Sequence, residues 1–308
     1  MLQADTYDGW DEVGENVFRK RFDPCDVSVT AVIGADGVAV VDTRCSLPEA
    51  REIKEQLRRL TAAPVRWVVN THAHFDHCWG NAEFVAPRLT PPARIWGHES
   101  LVARLDSASP EIVACRAELL AEGPQWAEKL AGIEYAAPAE LVRDHASIDL
   151  GDRRLELRFL GRGHTDGDLW ILVTDSETGD GSGTGSRSGI STAAHPAIVL
   201  AGDLVEESGP PAFGSDSFPL DWADTLDKGM ELFGPDSVVV PGHGASVDAG
   251  FVRTQRAAID AVAQQIRRLH AAEVPVDSAL NEGSWEFPAT VLQSAVARGY
   301  ATLDGALD

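Results

Sequence analysis

Apolar residues form short runs of strand length and longer stretches of helical spacing, in mixed order along the chain. The short runs predict strands at 27–33, 38–42, 65–70, 154–160, 169–174, 197–200 and 238–240. Stretches with apolar side chains at every third or fourth residue predict helices at 47–60, 98–131 (broken near Pro110 and Pro124), 249–272 and 287–299. The order of these elements predicts a mixed α/β (α+β) protein.

The segment Thr71–His77 concentrates candidate metal ligands directly after a predicted strand. His72, His74 and Asp76 occupy alternate positions. Alternate side chains share one face of an extended backbone, so we expect these three groups to converge. His77 breaks the alternation and can reach a second point close by. Imidazole nitrogens together with a carboxylate suit zinc, with iron and manganese as the alternatives.

Three further candidate ligands each follow another predicted strand in a glycine-rich turn: His164, Asp203 and His243. Glycine permits sharp turns and a close approach of the backbone to a bound ion. Loops at one end of a rigid sheet are a common place for a functional site. We therefore expect these groups to assemble with the histidine-rich segment at one edge of a sheet.

This series of motifs resembles the metallo-β-lactamase-fold hydrolases over roughly residues 26–250. The segment Thr71–Asn81 also resembles the Thr-His-x-His-x-Asp-His-x-x-Gly-Asn form of the hydroxyacylglutathione hydrolase (glyoxalase II) branch. The resemblance implies a four-layer αββα sandwich with a helical insertion and a short C-terminal helical extension. It places the site at one edge, between the two sheets.

The resemblance also implies a role for each candidate ligand. The first metal would be held by His72, His74 and His164. The second metal would be held by Asp76, His77 and His243, and Asp203 would bridge the two. This dinuclear set implies a metal-dependent hydrolase with two zinc ions. A metal-bridging hydroxide would cleave an ester, thioester, lactone or related bond, and Asp76 would orient the nucleophile and accept its proton.

Two other activities stay open at this point. A mononuclear iron sulfur (persulfide) dioxygenase keeps the motif histidines, and the identity of the metal separates it from the hydrolase. A β-lactamase-like amide hydrolase is disfavoured by Asp203, because a bridging aspartate is not the usual feature of that branch. Glutathione thioesters are disfavoured because the tail from residue 273 carries only Arg298 as a cation.

Composition narrows the partners. The chain has 308 residues, of which 44% are hydrophobic, which is typical of a globular protein. Its 26 basic and 48 acidic residues give a net charge of −22, which argues against nucleic acid as a partner. The N-terminus has no basic region followed by an apolar one, and no apolar run is long enough for a membrane span. We expect a small-molecule substrate and no membrane partner.

The cysteines are scattered without disulfide spacing, which predicts reduced thiols in a cytoplasmic protein. Residues 1–272 are predicted to form the catalytic domain and 273–308 an extension packed on it. Within the catalytic domain, the helical insertion at about 98–131 is either a cap over the site or an ordinary packed excursion. The glycine- and serine-rich segment 175–196 predicts a flexible hairpin insertion. The aromatic segment 206–222 either walls the pocket or packs on the body.

Overall fold

The computed structural model of the protein describes residues 5–7, 9–86, 91–175 and 198–307, with only the backbone described for 5–7. The predicted flexible segment 175–196 lies outside this description after Asp175. The strands are β1 (Asp5–Tyr7), β2 (Trp10–Gly14), β3 (Val17–Phe22), β4 (Val27–Gly34), β5 (Gly37–Val41), β6 (Val65–Val69), β7 (Arg94–His98), β8 (Glu140–Val142), β9 (His145–Asp149), β10 (Arg153–Phe159), β11 (Leu169–Asp175), β12 (Ile198–Glu206) and β13 (Val238–His243).

The helices alternate with these strands along the chain. They are α1 (Leu47–Leu60), α2 (Phe75–Cys78), α3 (Ala82–Val85), α4 (Leu101–Arg104), α5 (Pro110–Glu122), α6 (Pro124–Lys129), α7 (Trp222–Met230), α8 (Ala249–Ala271), α9 (Val276–Glu282) and α10 (Ala289–Leu303). No helix within the described ranges is long and apolar enough to cross a membrane.

The strands form two halves that meet at β4 and β13. In the first half the order is β8-β7-β6-β5-β4, and β3, β2 and β1 continue outward from β4. In the second half the order is β13-β12-β11-β10-β9. The halves are joined where His243 pairs with Val27. His243, one of the candidate metal ligands, therefore lies where the two halves of the sheet meet.

Side-chain alternation along the strands creates the layers. In β5, Val38 and Val40 belong to the cluster that includes Ile53 and Leu57 of α1. Their neighbours Ala39 and Val41 belong to a different cluster, which also contains Leu155 and Leu157 of β10. Successive strand residues point to opposite faces of the sheet. One face of the first sheet therefore packs against α1, and its opposite face packs against the second sheet.

The second half repeats this arrangement. Trp170 and Leu172 of β11 are buried against helices α7, α8 and α10, whereas Leu169 and Ile171 face the first sheet. Helices α9 and α10 join the same cluster through residues such as Ala279 and Leu292. The protein is thus a four-layer αββα sandwich, and this confirms the predicted fold class.

The predicted helix at 98–131 consists of three shorter helices. Strand β7 ends only at His98, and α5 and α6 begin at Pro110 and Pro124. Proline has no backbone N–H to donate, so it fits the first turn of a helix and interrupts its interior. These helices bury Leu119 and Trp126 in a separate small cluster beside the histidine-rich segment.

Two expectations about the motif segments are wrong in detail. The histidine-rich segment is not extended throughout, because residues 71–73 form bends and α2 begins at Phe75. The carbonyl of His74 accepts hydrogen bonds from the amides of His77 and Cys78, which winds the chain into a helical turn. Strand β12 continues to Glu206, so Asp203 lies within the strand and not after it. The strands β1–β3 and β7–β9 were not predicted.

Candidate metal centre

Asp42 fixes the path of the histidine-rich segment. It directly follows β5, and its carboxylate accepts hydrogen bonds from the Thr71 amide at 2.8 Å and from the Thr71 hydroxyl at 2.8 Å. Asp42 is buried and has a left-handed backbone conformation with φ of 65°. This conformation is uncommon for residues other than glycine, although aspartate tolerates it better than most. The bonds of Asp42 therefore hold the loop after β6 against the end of β5.

The first group of candidate ligands comprises His72, His74, His164 and Asp203. The Nε2 atom of His164 lies 2.8 Å from Nδ1 of His74 and 3.3 Å from Oδ2 of Asp203. The Nε2 atom of His72 lies 3.7 Å from the same Asp203 oxygen. The structure thus brings together the predicted first set, with side chains from the β6–α2 loop, the β10–β11 loop and β12.

The second group comprises Asp76, His77 and His243. The Nε2 atoms of His77 and His243 are 3.3 Å apart, and Oδ2 of Asp76 lies 3.3 Å from Nε2 of His243. Asp203 reaches this group as well, because its two oxygens lie 3.2 Å from Nε2 of His77 and 3.4 Å from Nε2 of His243. Asp203 is therefore placed between the two groups.

The outward nitrogen of each histidine has its own partner. For four of the rings this nitrogen is Nδ1, and its partners are Thr71 Oγ1 for His72, Asp42 Oδ2 for His77, the Ala212 carbonyl for His164 and the Cys25 carbonyl for His243. His74 is reversed, since its Nε2 contacts Asp216 at 3.2 Å and its Nδ1 points inward. Carbonyl and carboxylate oxygens only accept hydrogen bonds, and the Thr71 hydroxyl already donates its hydrogen to Asp42, so the outward nitrogens carry the protons.

In the neutral rings, which are the form that binds metal, the inward nitrogens then carry lone pairs that face one another. This applies to His74 with His164, at 2.8 Å, and to His77 with His243, at 3.3 Å. In addition, His72 Nε2 and Asp203 Oδ1 are buried without a hydrogen-bond partner. Lone pairs packed this closely repel unless a cation lies between them, and buried polar atoms without partners are costly. The donors present therefore fit a metal centre, and imidazole with carboxylate fits zinc.

Electrostatics agree with this interpretation. Burial lowers the pKa of His72 well below its usual value and that of His164 to about 4, which keeps both rings neutral, the form that binds metal. Burial also opposes a charge on His243, but Asp203 and Asp76 outweigh it and raise the pKa of His243 to about 10. The same negative field would stabilise a metal cation.

Three acidic residues near the site were not predicted. Asp42 and Asp216 accept hydrogen bonds from the outward nitrogens of His77 and His74. A carboxylate oxygen of Glu206 lies within 4.8 Å of ligand atoms of Asp203 and His243. Burial, reinforced by Asp203, raises the pKa of Glu206 to about 8. Asp42 closes a predicted strand, which is a weak signal. Glu206 and Asp216 stand in the aromatic segment 206–222, where nothing in the sequence marks them.

Comparison with known proteins identifies the fold family. The profile of the metallo-beta-lactamase superfamily matches residues 22–243. A metallo-beta-lactamase type 2 from Bacillus cereus is 21% identical over 218 residues, which are 70% of this chain and 66% of that protein. This chain therefore spans slightly less than two thirds of that relative.

Solved structures show the same fold at low sequence identity. The stereoselective inverting sec-alkylsulfatase Pisa1 from Pseudomonas sp. superposes with a TM-score of 0.67 at 15% identity, over 96% of this chain but 50% of that protein. A metallo-beta-lactamase from Pontibacter korlensis gives 0.54 at 17% identity, over 82% of this chain and 98% of that one. The profile match over residues 22–243 shows that the chain belongs to the metallo-β-lactamase superfamily, which confirms the predicted family.

Proposed function

We propose that this protein is a dinuclear zinc hydrolase that cleaves an ester, thioester, lactone or related bond in a small molecule. The observation that supports two ions is the position of Asp203, whose oxygens lie within 3.4 Å of His164, His77 and His243. In this proposal His72, His74 and His164 hold the first ion. The second ion would be held by Asp76, His77 and His243, and Asp203 would be shared.

When bound, zinc would acidify water at neutral pH and polarise the bond to be cleaved. The other roles belong to side chains of this protein. We assign to the buried Asp76 carboxylate, 3.3 Å from His243 Nε2, the orientation of the attacking water and the acceptance of its proton. Asp42 and Asp216 keep the outer protons on His77 and His74, so that the inner nitrogens stay available as ligands.

The shared position of Asp203 favours this hydrolase over a mononuclear iron dioxygenase, which needs one group of ligands only. A β-lactamase-like amide hydrolase remains the second candidate, because metallo-beta-lactamases are among the relatives. The net charge of −22 supports a small-molecule substrate over nucleic acid. A cytoplasmic location remains a prediction.

The test is hydrolysis of a panel by the zinc-loaded protein, with a short-chain ester, a thioester, a lactone and a β-lactam. The variant His72→Ala should lose turnover by about three orders of magnitude or more, as loss of a central catalytic element does elsewhere. His145→Ala is the matched control, because it removes an imidazole from β9, in a position outside both ligand groups. Equal turnover by His72→Ala and wild type, or turnover of the β-lactam alone, would overturn the proposal.

A further inference from the structure

A cleft of about 580 Å³ lies along helices α5 and α6, and two of its lining residues neighbour candidate metal ligands. Phe75 and Cys25 form part of its lining. Phe75 stands between His74 and Asp76 in the chain. The Cys25 carbonyl accepts a hydrogen bond from His243 Nδ1 at 2.7 Å. The cleft is therefore placed to receive part of a molecule whose reacting bond lies at the centre.

The inner wall of the cleft is apolar. The rings of Phe75 and Trp126 meet edge to face with centroids 5.7 Å apart, and Leu119 lies on the same wall. Leu119 and Trp126 are both 4% exposed, so their positions are fixed by packing. Cys115 also lines the cleft, and burial raises the pKa of its thiol to about 12, which keeps it neutral. Such a wall favours hydrocarbon over a charged group.

The rim of the cleft is acidic. Glu118 and Glu122 line it and are exposed. Among the lining residues Lys129 is the basic one, and its ammonium is occupied by the Glu49 carboxylate at 2.6 Å and by the Trp126 ring at 4.9 Å. A substrate with a terminal carboxylate would therefore meet negative charge at the entrance without a cation to pair with.

We propose that this cleft is the substrate subsite and that it accepts an uncharged, apolar acyl chain in preference to one that ends in a carboxylate. This inference rests on the proposed hydrolase function and adds the class of substrate. Each methylene buried against the wall would improve binding about fourfold. The acidic rim would oppose an anionic chain of the same length by about tenfold, as expected for charges at a partly exposed site.

The first test compares two esters that differ only at the end of the chain, 4-nitrophenyl hexanoate and the 4-nitrophenyl monoester of adipic acid. We expect kcat/KM to be about tenfold higher for the hexanoate. Glu118→Lys should narrow this ratio threefold or more. Glu128→Lys makes the same charge change on α6 at a residue outside the lining, and it should leave the ratio unchanged. Equal rates for both esters, or equal effects of both lysine variants, would overturn the proposal.

A second variant tests the wall itself. Trp126→Ala should raise KM for the hexanoate about tenfold with a smaller change in kcat, because the wall binds the chain away from the reacting bond. Trp126→Phe keeps an aromatic ring and should recover most of the loss. If Trp126→Ala does not fold, the comparison of Glu118→Lys with Glu128→Lys still decides the matter.

Binding without reaction separates this inference from the proposed function. The probes are 1-hexanol and 6-hydroxyhexanoate, which contain no bond to hydrolyse, and the signal is tryptophan fluorescence of the zinc-loaded protein. We expect hexanol to bind more tightly and Trp126→Phe to alter its signal. Hexanol binding without hydrolysis of any ester would support the proposed subsite and contradict the proposed hydrolase function. Ester hydrolysis without hexanol binding would support the hydrolase function and contradict the subsite.

Discussion

The variant Asp42→Asn tests whether the hydrogen bond between His77 Nδ1 and Asp42 keeps the inward nitrogen of His77 free to bind metal. The Asp42 carboxylate accepts hydrogen bonds from Thr71 N, Thr71 Oγ1 and His77 Nδ1, each at 2.8 Å. An amide of the same shape has one oxygen and one NH₂ group. If its oxygen stays on the Thr71 amide, its NH₂ group faces His77 Nδ1, and two donors then oppose each other.

The least costly response is a change of tautomer. His77 would accept at Nδ1 and carry its proton on Nε2, the atom that lies 3.3 Å from His243 Nε2. A protonated Nε2 cannot bind metal. Loss of such an outer partner typically weakens metal binding by about 10- to 100-fold, equivalent to about 1.4–2.8 kcal/mol. The backbone is not a complication, because asparagine tolerates the φ of 65° at this position.

The assay is competition for zinc against a chromophoric chelator at fixed pH. We expect one of two binding steps to weaken by about 10- to 100-fold, with the other step less affected. Asp36→Asn is the control, since it makes the same change of charge at an exposed turn residue. If Asp42→Asn folds normally and both zinc steps match those of the control, the tautomer reasoning is refuted.

Three other predictions concern separate parts of the molecule. Ile53→Ala removes a fully buried side chain of α1 and should lower the free energy of unfolding in urea by about 2–5 kcal/mol, whereas the exposed Val113→Ala should change it by less than about 0.5 kcal/mol. Arg298→Gln removes the cation that holds two carbonyls of the loop carrying Asp216, so zinc affinity should fall several-fold with unchanged circular dichroism. Burial raises the pKa of Cys115 from 9.0 to about 12, so at pH 8 its reactive thiolate is about a thousandfold rarer in the folded than in the unfolded protein. Iodoacetamide should therefore label Cys115 much more slowly before denaturation than after it, and equal rates by mass spectrometry would contradict this. The pKa of the Cys115 thiol is higher in the folded than in the unfolded protein. The stability that depends on the protonated thiol is therefore present below pH 9 and is lost as the pH rises from 9 to 12.

The part of the fold that the sequence predicted has strong local patterns. Helix α1 begins and ends where Pro48 and the spacing of Ile53 and Leu57 indicate. The strands β1–β3 were missed because charged residues such as Asp11 and Glu12 interrupt their apolar pattern. Arg19 of β3 is buried, and its guanidinium bonds to the Gly244 carbonyl, a contact that only the tertiary fold creates.

The ligand set was predictable because the histidine-rich segment and His164 follow strands, and Asp203 and His243 lie near the ends of strands, at one edge of the sandwich. The conformation of the segment 71–77 was not, because a short run of alternating residues is compatible with a helical turn when a carbonyl such as that of His74 finds donors nearby. The role of Asp216 could not be predicted at all. Asp216 and His74 are 142 residues apart, and their contact depends on how a loop without regular structure packs. The division between residues 1–272 and 273–308 stays a prediction.

The measurement that tests the central claim most directly is the metal content of the purified protein by plasma mass spectrometry, for the wild type and for Asp203→Ala. The two groups of ligands predict about two zinc ions per chain in the wild type. They also predict loss of at least one ion in Asp203→Ala, because Asp203 faces both groups. About one iron per chain in the wild type, or full zinc content in Asp203→Ala, would contradict the dinuclear zinc centre.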